Sequence, residues 1–372
     1  LRYMTAHNKT VNLMFTSAIV ASIALVANYL LWAAIDPAAW MCTALFFIFT
    51  LSLAPLLIEL KWSWPVVVIF IFALIVTISI GSPSWDPRHI WLFHAKRIFF
   101  DGSLYAQMDN YANAANDYPV IIPALSASIA KVMGFWNEAA PKSAAVFFLI
   151  PPLLASLLAL KNPIYFLVYL SGVFYLCGEH LLNGEMDGIL AVYSFAIATS
   201  ILLLSNPQEL PAKSHQLSRR LLMILLTLLA IITPLIKNEG LVITLIFLLS
   251  IFTIDSLKVH YKLLLPFMLG ILFYLVTWKI PLLLNGVAND VANEGIISNI
   301  MRRLQEPQSI ELIARDLFNK SGAYLALMGG CLLLKKGSWR SHCPAAVFIT
   351  LYLLALFLIY LGTPHSLEWH IQ

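Results

Sequence analysis

Runs of about eighteen to twenty-four mostly apolar residues, the length of a membrane span, alternate along this chain with short polar breaks. They fall at 11–34, 38–59, 63–81, 141–160, 187–205, 219–236, 240–257, 263–283 and 344–361, with shorter ones at 119–134, 163–178 and 322–335. About twenty helical residues cross a hydrocarbon core of roughly 30 Å, and lipid offers backbone groups no water. Each long run is therefore predicted to be a helix that closes its own hydrogen bonds. The pattern predicts an all-α fold, a polytopic transmembrane helical bundle of about eleven spans, with about ten and about thirteen as bounds. Of the three candidate segments across 119–178, two must cross to keep the connections on consistent sides. With no internal repeat and no low-complexity tract, a single transmembrane domain over 1–372 is expected.

Two polar interruptions are long, 82–118 and 284–321. The first contains SPSWDPRHIWLFHAKRIFFDG, whose punctuation is helical: Asp86 suits the N-cap, Pro87 the first helical position and Gly102 the stop. Its apolar Ile90, Trp91, Ile98 and Phe99 alternate with Arg88, His89, Lys96 and Arg97. That spacing predicts a helix lying in the membrane interface, with Trp85 and Trp91 at headgroup level.

Composition agrees with a membrane protein, since 60% of the 372 residues are hydrophobic and 11% charged, with a mean hydropathy of +0.83. The net charge of +4 comes from cations scattered singly and in pairs. These orient loops and leave no nucleic-acid footprint, so nucleic acid is excluded as a partner. Lys and Arg assign the cytoplasmic side to the N-terminus (Arg2, Lys9), Lys61, the 213–220 connection, Lys258 with Lys262, and Lys335, Lys336 and Arg340. The 82–118 loop, GEHLLNGEMDG, KNEG, the 284–321 loop and TPHSLEWHIQ then face outward. Cys42, Cys177, Cys331 and Cys343 have no metal-ligand or disulfide spacing and read as apolar packing. The first run lacks a cleavage site and is expected to be a span; the polypeptide is expected to continue past 372.

Candidate chemistry collects in the outward breaks. Asp86, at the hand-over from a span to the interfacial helix, is placed either to cap that helix or to act as a general base. Arg88, His89, His94, Lys96 and Arg97 suit either a bound phosphate or anionic lipid, with His89, Lys96 and Arg97 the better-spaced group. Asp117 and Tyr118 of NDYP can hydrogen-bond and stack on a sugar, or simply precede a Pro-marked helix start. In GEHLLNGEMDGIL, Glu179, His180, Glu185 and Asp187 form a solvated loop or the makings of a metal site, with Asp187 the acid most expected to function. Lys237 and Glu239 break two strongly apolar helices, where charge costs several kcal/mol unless paired or used. They suit either a mutual ion pair or the capture of a lipid phosphate, and Gly240 allows a headgroup or helix close by. His365, Glu368 and His370 end the chain without a recognised metal spacing.

Taken together, SWDPRHIW, DYPVIIP, GEMDGIL, IKNEGL and TPHSLEWH resemble the motifs of the GT-C superfamily of membrane glycosyltransferases. The likeness is to bacterial protein O-mannosyltransferase-like and aminoarabinose-transferase-like members. The resemblance implies a polyprenyl-phosphate sugar donor, a lipid, glycan or protein acceptor, and inversion at the anomeric carbon with Asp86 as general base. Arg88, His89, Lys96, Arg97, Asp117, Tyr118, Asp187, Lys237, Glu239 and His370 would bind substrate. A divalent ion, magnesium or manganese, is not required, though Glu185 and Asp187 leave room for one. The implied location is a bacterial inner membrane with the site facing the periplasm. Two other classes share these features. An O-antigen-ligase or polymerase type would hold a polyprenyl diphosphate with Arg302, Arg303 and Arg315, and a lipid-linked-sugar flippase or transporter would place its charges at mid-bilayer. A noncatalytic membrane subunit is a further alternative.

Overall fold

A computed structural model describes residues 2–58, 60–81, 85–105, 115–160, 162–205, 215–252, 257–287, 295–319, 343–363 and 367. Among the described residues there are helices and no strands. They are α1 (Arg2–Ala34), α2 (Ala39–Ile58), α3 (Leu60–Ser79), α4 (Leu92–Asp101), α5 (Ile121–Met133), α6 (Ala139–Lys142), α7 (Ala144–Leu160) and α8 (Pro163–Cys177). There follow α9 (Asp187–Ser205), α10 (His215–Ile236), α11 (Asn238–Ile251), α12 (Leu257–Tyr274), α13 (Ile280–Leu284), α14 (Ile296–Leu304), α15 (307–319) and α16 (Cys343–Gly362). Six helical stretches among the described residues are long and apolar enough to cross a membrane: Thr10–Ala34, Ala39–Ile58, Ala139–Leu160, Asp187–Ser205, Gln216–Ile236 and Tyr261–Leu284. The chain is an integral membrane protein of all-α class. The apolar run at 322–335 lies outside the described residues.

Two stretches depart from α geometry. Pro87–Trp91 and Leu275–Lys279 are π-turns, each closed by a bond to the fifth residue back: Leu92 N–H donates to the Pro87 carbonyl, and Ile280 N–H to that of Leu275. Such wide turns cluster at functional sites. The first corrects the sequence reading of Asp86. At φ −55° and ψ −50°, Asp86 is already helical and its side chain makes no cap bond, because Trp85 before it is helical too. Gly102 ends α4 as expected, at φ +75°, where a Cβ would collide with Asp36.

The chain divides into two compact units, 1–244 with 265–286 and 245–264 with 287–372. In the first, α1 runs through the centre, packed on α2, α5, α7 and α10, with Phe15, Leu25, Tyr29 and Trp32 fully buried. Small residues set the closest approaches, as they do where lipid supplies no hydrophobic drive between helices. A Cβ on Gly270 of α12 would fall on the Ala230 carbonyl of α10, and one on Gly240 on the Thr233 carbonyl. Of the two partners expected for Gly240, the structure supplies the helix. Gly270→Ala and Gly240→Ala are each expected to cost about 1–3 kcal/mol by overpacking. Thermal unfolding of the detergent-solubilised protein checks this, and an unchanged Tm for both would contradict these approaches.

The second unit contains α14, α15 and α16, with Phe348 of α16 stacked between Phe247 at 4.3 Å and Tyr352 at 6.2 Å. Arg303 of α14 is buried and donates to the carbonyls of Tyr360, at 2.6 Å, and Leu361, at 3.3 Å. It thus caps the end of α16, a role its place in a polar loop did not announce.

Candidate functional site

The site is assembled within the first unit from the ends of helices that are far apart in the chain. α10 stops at Ile236 and α11 starts at Asn238, so Lys237 stands in a one-residue break between them. Its Nζ reaches Asp187 Oδ1 at 2.9 Å and Glu239 Oε1 at 3.5 Å, and it sits over the Tyr118 ring at 5.9 Å. The ammonium side chain is 11% exposed, against 58% for Asp187 and 34% for Glu239. The cation is therefore the buried partner and Asp187 the wet one. Asp187 opens α9, where a carboxylate also meets the positive end of the helix dipole. Arg219 and Arg220 lie near the other end of α10, roughly 25 Å from Lys237 at 1.5 Å per residue. The two groups thus lie at opposite ends of α10.

Asp86 belongs to this cluster. It is half-buried, and burial pushes its carboxyl above the usual aspartate range; Lys237 pulls it down, while Asp187, Glu185 and Glu239 push it further up. A carboxylate with a raised pKa, within reach of a buried cation's charge, is suited to taking a proton. Two contacts hold its turn. Gly184, at φ +100°, brings the 182–186 loop against Pro87 and Lys142, and the Lys142 ammonium donates to the Ile80 carbonyl at the exit of α3.

Asp117 and Tyr118 form the third wall, gripped from both sides by the π-turns. Trp91 stacks on the Tyr118 ring at 5.5 Å and 20°, and Trp278 Nε1–H donates to the Asp117 carbonyl at 3.0 Å. Trp91 is thus buried, a correction to its expected place among the headgroups. The π-turn shifts the phase of the helix so that this ring turns inward. Asp117 is 1% exposed and its Oδ2 accepts from Asn238 Nδ2 at 2.8 Å; the Tyr274 hydroxyl donates to Asn238 Oδ1 at 3.4 Å. Burial, with the charge of Glu239 nearby, pushes the Tyr118 phenol up, so it stays protonated as a donor.

The cations between Pro87 and Asp101 are placed differently. Arg88, His89 and Lys96 are exposed and Arg97 pairs with Asp101 at 3.6 Å, whereas His94 is buried with its Nε2 at 3.4 Å from the Ala115 carbonyl, away from the phosphate group expected for it. His89 stacks on Trp85 at 4.8 Å and its Nδ1 meets the Trp85 carbonyl at 3.0 Å. Lys96 and Arg97 lie about 15 Å along the helix from Asp86 at 1.5 Å per residue. Their spacing allows them a common surface, but the buried cation of the site is Lys237.

Glu185 bonds to Asn183, accepting from Nδ2 at 3.1 Å and donating its N–H to Oδ1 at 3.0 Å. No three His, Cys, Asp or Glu side chains gather as a metal site among the described residues. Glu179 and His180 lie in the 3-10 turn Gly178–Leu181, while His365, Glu368 and His370 lie outside the described residues.

Sequence reasoning missed Asn238, Lys142, Tyr274 and Trp278. Asn238 adjoins Lys237 in the polar break, and Lys142 is the lone charge at the head of a long apolar run, so both were visible as exceptions. Tyr274 and Trp278 are aromatic residues in an aromatic-rich helix and gave no such mark. Compared with protein-family models, curated proteins and solved structures, the chain matches none.

Proposed function

We propose that this chain is a membrane glycosyltransferase of the GT-C type, moving a sugar from a polyprenyl-phosphate donor to an acceptor hydroxyl on the outer side of a bacterial inner membrane. The single observation that carries this reading is Lys237, a buried ammonium held by Asp187 and Glu239, with the half-buried carboxyl of Asp86 within reach of its charge. Glycosyl transfer from a lipid phosphate needs a base for the incoming hydroxyl and a cation for the departing phosphate, next to apolar surface for the carrier. The six long apolar helices and several of the five shorter ones support a polytopic bundle with apolar surface for such a carrier.

In this reading the acceptor hydroxyl lies against Asp86, which takes its proton as the oxygen attacks the anomeric carbon from the face opposite the phosphate. The bond to the phosphate oxygen breaks, configuration inverts, and Lys237 offsets the charge that grows there. Asp187 shares Lys237 and, being the exposed partner, is the carboxylate a phosphate would displace. Tyr118 offers a hydroxyl and a ring face to the sugar, and Asp117 and Asn238 fix that segment. Exposed Arg88, His89 and Lys96, with Arg97, attract the anionic carrier along the membrane surface. His370 is assigned to the phosphate by resemblance alone.

The alternative that uses a diphosphate donor loses support from Arg303, whose guanidinium is directed into the end of α16. The first test is a transfer assay of the purified full chain with a polyprenyl-phosphate sugar pool, alongside mass measurement of lipid or glycan that co-purifies. Sugar transfer only from diphosphate carriers, or none at all with folded protein, would overturn the reading. Because Lys237 already supplies a cation to the leaving group, transfer is expected to persist in EDTA. A rate restored only by magnesium or manganese would instead put an ion at Glu185 and Asp187.

A further inference from the structure

We propose that α14 is a second membrane-surface helix, independent of the glycosyltransferase reading, which seats an apolar stripe in the boundary between headgroups and acyl chains. The nine residues of α14, IISNIMRRL, present three different faces. Arg303 and Asn299 turn toward the carbonyl end of α16, Asn299 Nδ2 donating to the Gly362 carbonyl at 3.5 Å. Ile296 packs there so closely that a Cβ on Gly362 would strike its side chain. Ser298, Arg302 and Gln305 form an exposed polar face. Ile297, Met301 and Leu304, spaced as neighbours on successive turns, form an apolar face left open, at 74%, 55% and 46% exposure.

Depth identifies what covers that face. α16 is 20 residues long and carries no charged residue, so at 1.5 Å per residue it is about 30 Å long, one hydrocarbon core. Its C-terminal half exposes Leu354 and Leu358, an open apolar surface. Because α14 is hydrogen-bonded to the last turn of α16, it lies at the level where hydrocarbon gives way to headgroups, and its open stripe continues the apolar surface of the span. Water would make three large apolar side chains costly there, whereas the acyl boundary accepts them. Arg302, on the adjoining face, is placed to meet lipid phosphate. The occupant is therefore bilayer lipid, with a second copy of the chain as the competing outcome.

The test uses the full chain with its four cysteines replaced, reconstituted in vesicles of phosphatidylethanolamine and phosphatidylglycerol. A nitroxide is attached at Met301→Cys or, on the polar face, at Ser298→Cys. Collisions with dioxygen are expected to exceed those with a water-soluble nickel chelate severalfold at 301, and the order to reverse at 298. Equal, water-like accessibility at both positions would overturn the proposal. So would spin–spin broadening at 301 that disappears on dilution with unlabelled protein, which would assign the stripe to a second copy. Ile297→Cys serves the same purpose should Met301→Cys not fold. The readout involves no sugar transfer, so an inactive protein with this accessibility pattern would sink the proposed function and leave α14 at the membrane surface.

Discussion

Asp86→Asn is expected to lower transfer from a polyprenyl-phosphate sugar by about 10²–10⁴-fold, the usual worth of a positioned general base, without unfolding the protein. The amide is nearly isosteric and cannot accept the proton. Stability should move the other way. Burial, countered by Lys237 but reinforced by Asp187, Glu185 and Glu239, holds the folded carboxyl above the ordinary aspartate value. A carboxyl whose pKa is raised on folding costs stability once it ionises. That cost is present above the raised pKa and is relieved as the pH falls below the unfolded one. At neutral pH the Asn variant should therefore melt no lower than the parent. In the parent, transfer should rise with pH on an acid limb lying above the ordinary carboxylate range, and the variant should lose that limb. Undiminished transfer by folded Asp86→Asn protein, or an unshifted limb, would remove Asp86 from the mechanism.

The second large effect concerns the cation. Lys237→Met is expected to cost about 10²–10³-fold in kcat, in the range found for losing a preorganised charge at a departing oxygen. The stability loss should be smaller than the roughly 3–5 kcal/mol seen when a fully buried pair is broken. The reason is that Asp187 is 58% exposed and regains water, whereas Glu239 already has one oxygen, Oε2, buried without a hydrogen-bond partner among the described residues. Lys237→Arg should recover most of the Tm, since it keeps the charge, but less of the turnover, since a planar fork cannot reproduce a point charge above the Tyr118 ring. Kinetics and melting of the pair separate the two roles: a Met variant with full kcat and a lowered Tm would leave Lys237 purely structural.

Much of this site was legible because hydrocarbon makes charge conspicuous. Asp86, Asp187, Lys237 and Glu239 each interrupt or border an apolar run, and the structure pairs Lys237 with Asp187 and Glu239 and sets Asp86 within reach of their charges. Helix α9 begins at Asp187 and ends at Ser205, the limits of the apolar run. What stayed hidden had physical causes. A π-turn changes the phase of a helix by one residue, which a 3.6-residue period cannot register, so Trp91 was assigned to the headgroups when it stacks on Tyr118. Asp-Pro is a strong start signal that suits Asp86 to a cap as well as to a base, yet Trp85 is already helical. Arg303 looked like a loop cation because its partners are carbonyls of Tyr360 and Leu361, and carbonyl positions leave no trace in a hydropathy pattern.

The bond that joins Ile280 to Leu275 across five residues makes the α12 turn equivalent to an ordinary helix with one amino acid inserted. Deleting a residue there would regularise the coil at little backbone cost while rotating everything on one side of the cut by about 100°. Trp278 would then leave the Asp117 carbonyl. Length variation of a single codon is thus a more severe perturbation at this position than almost any replacement of one side chain by another.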